Sequence, residues 1–230
     1  MPSLSKTQID VIELTAAHVQ AAMSGEGSGH DWWHVWRVWN TAKRIAAHEA
    51  ERGADVNTTV VELAALLHDL GDHKFHSGDT TVAPRMTREW LHSLHVDAET
   101  IEAVAEIVAT LSFKGAKVAT PMQTLEGMIV QDADRLDALG AIGVARTFAY
   151  GGHKGRELYD PEIPPHAHDD FAQYSSSAAP SINHFYEKLL LLKDRINTDY
   201  AKEIAEERHR FLELFLDQFF AEWNGDDITR

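Results

Sequence analysis

Three short strings place ionisable side chains where an apolar helix would ordinarily exclude them. In Leu66-Leu67-His68-Asp69-Leu70-Gly71-Asp72 an imidazole and a carboxylate close an apolar run side by side. Two such neighbours are costly in an apolar setting unless they are paired or hold a metal ion. Adjacent helical residues diverge by about 100°, yet both can reach an ion lying in the groove towards a neighbouring helix. Asp72 follows Asp69 by three residues, on the same side of the chain, within reach of water at such an ion. His34 stands in GHDWWHVWRV (residues 29–38), with Arg37, Val38 and Thr41 at helical spacing after it. Asp134 follows Ile129-Val130 in Gln131-Asp132-Ala133-Asp134-Arg135-Leu136-Asp137-Ala138; Asp137 shares its face and Asp132 is its rival. Each group alone has a plain structural explanation: a helix end facing water, a core histidine bonded to a neighbour, a salt bridge from Asp134 to Arg135. Together they would require several costly buried polar groups at once.

The elements that must carry these strings are helices almost throughout, so the expected fold class is all-α. Ser5-Lys6-Thr7-Gln8 reads as a capping box for a helix reaching about Met23. Asp31 caps a second helix to about Arg52, Asn57 a third and Asp97 a fifth. Leu63, Leu66, Leu67 and Leu70 form one stripe of the third helix, which ends at Gly71. Pro84 suits the first turn of a fourth helix ending near His95. A helical region from about Met122 to Tyr150 is expected to break near Gly140–Gly143, with Gly151-Gly152 stopping it. Residues 151–181 hold Pro161, Pro164, Pro165 and Pro180 and read as a lid, a binding loop or a disordered connection. C-terminal helices follow over about residues 182–224. There Phe211, Phe215, Phe219 and Trp223 recur every four residues, a stripe for the core or a homodimer contact. The whole chain, 1–230, is expected to be one domain with its core over about residues 5–150.

Composition narrows the chemistry. The 230 residues include no cysteine, so any metal must take nitrogen and oxygen donors. The net charge of −15 disfavours a long nucleic acid. Charge is locally sorted: residues 113–156 carry six basic side chains against four acidic ones, which suits a small anionic ligand. The N-terminus shows no basic-then-apolar leader and no window is apolar enough to span a bilayer, so no membrane partner and a cytoplasmic location are expected.

In order, these strings resemble the signature of the HD-domain superfamily: a histidine on an early helix, a His-Asp pair, and a later aspartate in Ala-Asp-Arg-Leu. The flanks GHDWWHVWRV (29–38), LLHDLGD (66–72), LSFKG (111–115) and IVQDADRLDALGAIGVARTFAYGG (129–152) are similar to bacterial HD phosphohydrolases of nucleotide pyrophosphohydrolase type. The resemblance implies a helical HD bundle binding a divalent ion on His34, His68, Asp69 and Asp134. Two imidazoles and two carboxylates suit Mn, Fe, Co, Ni or Zn better than Mg or Ca. The implied activity is hydrolysis of a phosphate ester or anhydride, with nucleoside triphosphate cleaved to monophosphate and pyrophosphate by attack of a metal-bound water. Asp72 and Asp69 are then the catalytic carboxylates, Asp72 orienting the water or shuttling its proton. Lys114, Arg135, Lys154 and Arg156 are candidates to hold phosphates, and Asp137 to contact substrate or support Asp134. His30 is a candidate for the pocket mouth. Two other readings stay open. His92 and His95 could complete a di-iron oxygenase site, and the domain could bind nucleotide as a non-catalytic sensor.

Overall fold

The structure, a computed structural model, describes residues 6–23, 25, 31–71, 79–111, 113, 116, 118–166 and 179–228. Among them are helices and no strand. In chain order the helices are α1 (Lys6–Ala22), α2 (Trp32–Glu51), α3 (Thr58–Leu67), α4 (Val82–Ser93), α5 (Ala98–Thr110), α6 (Leu125–Asp137) and α7 (Gly140–His153). A compound segment follows, here α8: a π turn (Phe185–Leu189), one α turn (Leu190–Leu192) and a 3₁₀ turn (Lys193–Arg195). The long helix α9 (Asp199–Asn224) and a 3₁₀ turn (Asp226–Ile228) close the chain.

Local chemistry sets most helix starts. The Asp31, Asn57, Asp97 and Thr124 side chains accept from the backbone N–H of His34, Val60, Thr100 and Gly127, supplying partners that a first turn lacks. Ser5 of the expected capping box lies outside the described residues. α3 is apolar on nearly every side, and residues Thr59 to Leu67 are all buried. Such a helix has no face for water and must lie in the middle. It packs against α1, α2, α5 and α6. One apolar cluster runs from Ile12 on α1 to Leu216 on α9. Gly71, at φ +79°, ends the turn after α3, and a Cβ there would meet Met86 Sδ at 2.9 Å.

Two boundaries differ from expectation. The break between α6 and α7 falls at Ala138 and Leu139, before the glycines, because Gly140 at φ +68° opens α7 and Gly143 lies within it. Gly143 is there for closeness: a Cβ would stand 2.2 Å from the Ala138 carbonyl oxygen. Nor do Gly151 and Gly152 stop α7, which continues to His153. Gly151 serves packing, since a Cβ would meet Ser181 Oγ.

The described ends of the 151–181 stretch are tied together. Ser181 N donates to Glu157 O at 2.9 Å and Ile182 N to Leu158 O at 3.0 Å. Asn183 Nδ2 donates to Ile163 O, and His166 N to the Glu187 carboxylate. Residues 167–178, including His168, lie outside the described residues. The aromatic stripe of α9 is partly covered by its own chain. Tyr159 meets Phe219, Phe220 and Trp223 edge-on, and Phe215 stacks on Phe185 at 5.4 Å between centroids. Phe211, Leu214 and Trp223 stay exposed. Among the described residues no helix is long and apolar enough to cross a membrane.

Candidate metal centre

Three elements bring four donors together. α2 supplies His34, fixed at its own amide by the Asp31 cap. The turn ending α3 supplies His68 and Asp69, and α6 supplies Asp134. His34 Nε2 lies 3.2 Å from His68 Nε2, 3.2 Å from Asp69 Oδ2 and 3.5 Å from Asp134 Oδ1. His68 Nε2 lies 3.6 Å from Asp69 Oδ1 and 3.9 Å from Asp134 Oδ1. His34 is wholly buried and His68 nearly so, while the Asp134 side chain is 30% exposed and marks the open side.

The imidazoles are aimed from behind. His68 Nδ1 donates to the Ala65 carbonyl at 2.8 Å, leaving Nε2 to face the cluster. His34 Nδ1 donates to Asp137 Oδ2 at 2.7 Å. Asp137 also accepts from Arg37 Nε at 2.7 Å, Arg37 Nη2 at 3.0 Å and Arg146 Nη1 at 3.1 Å. Burial alone would raise the Asp137 carboxyl. The bonds from His34 and Arg37 and the charges of His34 and Arg146 outweigh it and hold the group well below the usual carboxylate range. Burial and the charge of Arg146 would lower the His34 imidazole, but its bonds to Asp137 and Asp69 raise it.

This donor set fits a divalent ion. Two imidazole Nε2 atoms and two carboxylates point at one small volume, and such a grouping in a dry setting calls for positive charge. The 3.2 Å separations are close to the roughly 3 Å expected between neighbouring ligands each about 2.1 Å from a shared ion.

Other candidate residues are placed differently. Asp137, expected either to contact substrate or to support Asp134, is buried and engaged with His34, Arg37 and Arg146. Arg135 points its guanidinium into the protein, donating to the Arg195 carbonyl and to Thr120 Oγ1. Burial pulls that guanidinium down to about 10. A buried Arg135 with two internal acceptors is a strut between α6 and α8. Asp132 faces away from the cluster: it accepts from the backbone N–H groups of Asn197 and Thr198, from Asn197 Nδ2 and from Thr198 Oγ1, all within 2.9 Å. It anchors the start of α9. Lys154 and Arg156 both lie over the Tyr150 ring, at 5.7 and 5.6 Å from its centroid. Arg146, Tyr150 and Lys154 recur every fourth residue on and just past α7, one face leading away from Asp137. His92 and His95 are exposed at the end of α4 and take no part in the cluster. Asp72, Lys114 and His30 lie outside the described residues.

Sequence reasoning missed Arg37 and Arg146. Arg37 was legible as the i+3 neighbour of His34. Arg146 is nine residues past Asp137, across a helix break, and no local period points to it.

Residues 32–139 match the HD domain family. Bacillus subtilis YpgQ is 40% identical over 211 residues, covering 91% of this chain and 92% of YpgQ. This chain belongs to the HD superfamily. Its fold superposes on a Lactobacillus plantarum protein with TM-score 0.82 and 36% identity, covering 97% of this chain and all of the other. A Bacillus thuringiensis HD-superfamily hydrolase gives TM-score 0.70 and 44% identity over 94% of this HD chain and 98% of its own. YpgQ, whose crystal structure has been determined in complex with ADP, gives TM-score 0.68 and 34% identity over 92% and 97% of the two chains. The HD superfamily implies a divalent metal, and His34, His68 and Asp134 form the histidine–carboxylate cluster that could hold it, with Asp69 against both imidazoles.

Proposed function

We propose that this HD protein hydrolyses a phosphate ester or anhydride of a nucleotide, with one divalent transition metal ion held by His34, His68, Asp69 and Asp134. The observation that carries the reading is the convergence of two oriented imidazoles and two carboxylates on one side-open volume. The ADP complex of YpgQ supports a nucleotide as the ligand class. Mn, Fe, Co, Ni and Zn are the ions this donor set favours.

When bound, such an ion lowers the pKa of water and neutralises charge on the phosphoryl group. The residues of the chain supply position. Asp137, clamped by Arg37 and Arg146, keeps the His34 ring from turning. The Ala65 carbonyl does the same for His68. Asp134, on the open side, faces the direction from which substrate arrives. Asp69, next to both imidazoles, and Asp72, three residues later in the sequence, are assigned to orient the attacking water and accept its proton as the P–O bond to the leaving group breaks. Lys154 and Arg156, gathered on Tyr150 along the α7 face, are assigned to the distal phosphate or sugar.

The test is phosphate and pyrophosphate release from a panel of nucleoside mono- and triphosphates with Mn, Co, Ni, Mg and Zn. We expect metal-dependent turnover that the His68→Ala/Asp69→Ala double variant loses. Absence of turnover on every nucleotide, with metal bound, would overturn the reading.

A further inference from the structure

A helix end is the least supported part of a helix, because its last carbonyls lack partners within the helix and its final turn frays. α6 places Asp137 at its last position and Asp134 three residues earlier. The metal centre therefore hangs on a turn that needs support from elsewhere. Arginines from two later helices supply it.

Arg146 of α7 takes the Asp137 carboxylate at 3.1 Å. Arg208 of α9 takes the backbone. Its Nη1 donates to the Leu136 carbonyl at 2.6 Å, which also accepts from the Leu139 amide at 3.1 Å. A cation at the carbonyls of a helix C-terminus is favoured by the helix dipole as well. The stem of Arg208 fills the corner between α6 and α7, where a Cβ on Gly140 would stand 3.2 Å from Arg208 Cγ and 3.3 Å from its Cβ. A second tie lies four residues before Leu136, where Asp132 accepts from the Asn197 and Thr198 amides at the start of α9. α9 thus holds α6 at positions 132 and 136, on either side of Asp134.

We infer that Arg208 is a positioning residue for the metal centre, acting through the Leu136 carbonyl on the turn that carries Asp134 and Asp137. The inference rests on the proposed metal centre and not on its substrate. The path is short: Arg208 holds Leu136, Asp137 is the next residue, and Asp137 Oδ2 meets His34 Nδ1 at 2.7 Å. A donor set keeps its affinity only while its members stay within about 0.5 Å of the productive geometry. Freed from Arg208, the last turn of α6 can shift, and Asp137 and the His34 ring shift with it.

The test uses Co(II) as the probe, because its visible absorption reports the arrangement of its ligands. Wild type is compared with Arg208→Met, which keeps the stem against Gly140 and removes the donor, and with Arg208→Lys, which keeps a charged donor of shorter reach. Co(II) affinity is measured by competition with a chelating indicator, the absorption band on the loaded protein, and the stability of the metal-free fold by chemical denaturation in EDTA. Arg208→Met is expected to bind Co(II) about tenfold more weakly, with an altered band, and Arg208→Lys to recover part of both. Wild-type affinity and band in folded Arg208→Met, whatever its stability in EDTA, would overturn the inference and leave Arg208 a strut. If Arg208→Met does not fold, Arg208→Gln takes its place with the same two outcomes. A wild type that binds no Co(II) would overturn the metal centre and this inference with it, whereas equal binding by wild type and variant would overturn the inference alone.

Discussion

Asp137 is the residue on which the metal centre leans. Its carboxylate gathers one imidazole and two guanidinium groups, and only the imidazole faces the cluster. An outer carboxylate of this kind fixes the tautomer and direction of the ligand histidine. Asp137→Asn is expected to lower metal affinity by about tenfold to a hundredfold, and a competition titration with a chelating indicator checks it. Metal binding equal to wild type would show that His34 is held by its packing alone. The sign of the acid response follows from the depressed carboxyl. Asp137 stabilises the fold above its unfolded value of about 4 and loses that effect only as pH falls through its lower folded value. Legibility also divides at this scale. His34, His68, Asp69 and Asp134 could be marked because each is a polar intrusion into an apolar run. The partner of His34 could not, because Asp137 is 103 residues away and looks locally like one more acid on the Asp134 face. The inward course of Arg135 was equally hidden, since its acceptors, Thr120 Oγ1 and the Arg195 carbonyl, come from distant parts of the chain.

At the scale of elements, α6 faces two ways. Asp134 and Asp137 serve the centre, and Asp132 serves α9. Four donors from Asn197 and Thr198 converge on a carboxylate with no exposure, so the α8–α9 junction is docked through it. Asp132→Ala should destabilise the protein by about 3 kcal/mol while leaving metal stoichiometry unchanged. Chemical denaturation and metal analysis of the same sample check both halves, and loss of metal with the fold intact would make Asp132 a ligand. Helix starts were readable because their caps are local: Asp31, Asn57 and Asp97 each bond a backbone amide three residues on. The α6–α7 break lies at Ala138 and Leu139, just ahead of the expected Gly140–Gly143, because Gly143 does not break the helix. Gly143 is instead a demand for space made by the Ala138 carbonyl.

For the whole molecule, the donors come from α2, the end of α3 and α6, helices that also meet in the core. An ion at the cluster therefore ties three parts of the chain at once, and its binding adds to folding stability. Metal at about a thousandfold above its dissociation constant should contribute about 4 kcal/mol, raising Tm by roughly 10 °C in a chain of this size. Scanning calorimetry with metal and with EDTA checks this. A Tm indifferent to metal would show that the cluster does not bind it in the folded state.

The tie between residues 157–158 and 181–182 has an evolutionary consequence. Because the chain leaves and returns at one hydrogen-bonded neck, with N···O separations of 2.9 and 3.0 Å, the stretch beyond the neck can lengthen without moving the helices that carry the donors. Closure entropy grows only with the logarithm of length, about 0.6 kcal/mol per doubling. Insertions and deletions should therefore accumulate there among relatives while the centre stays fixed.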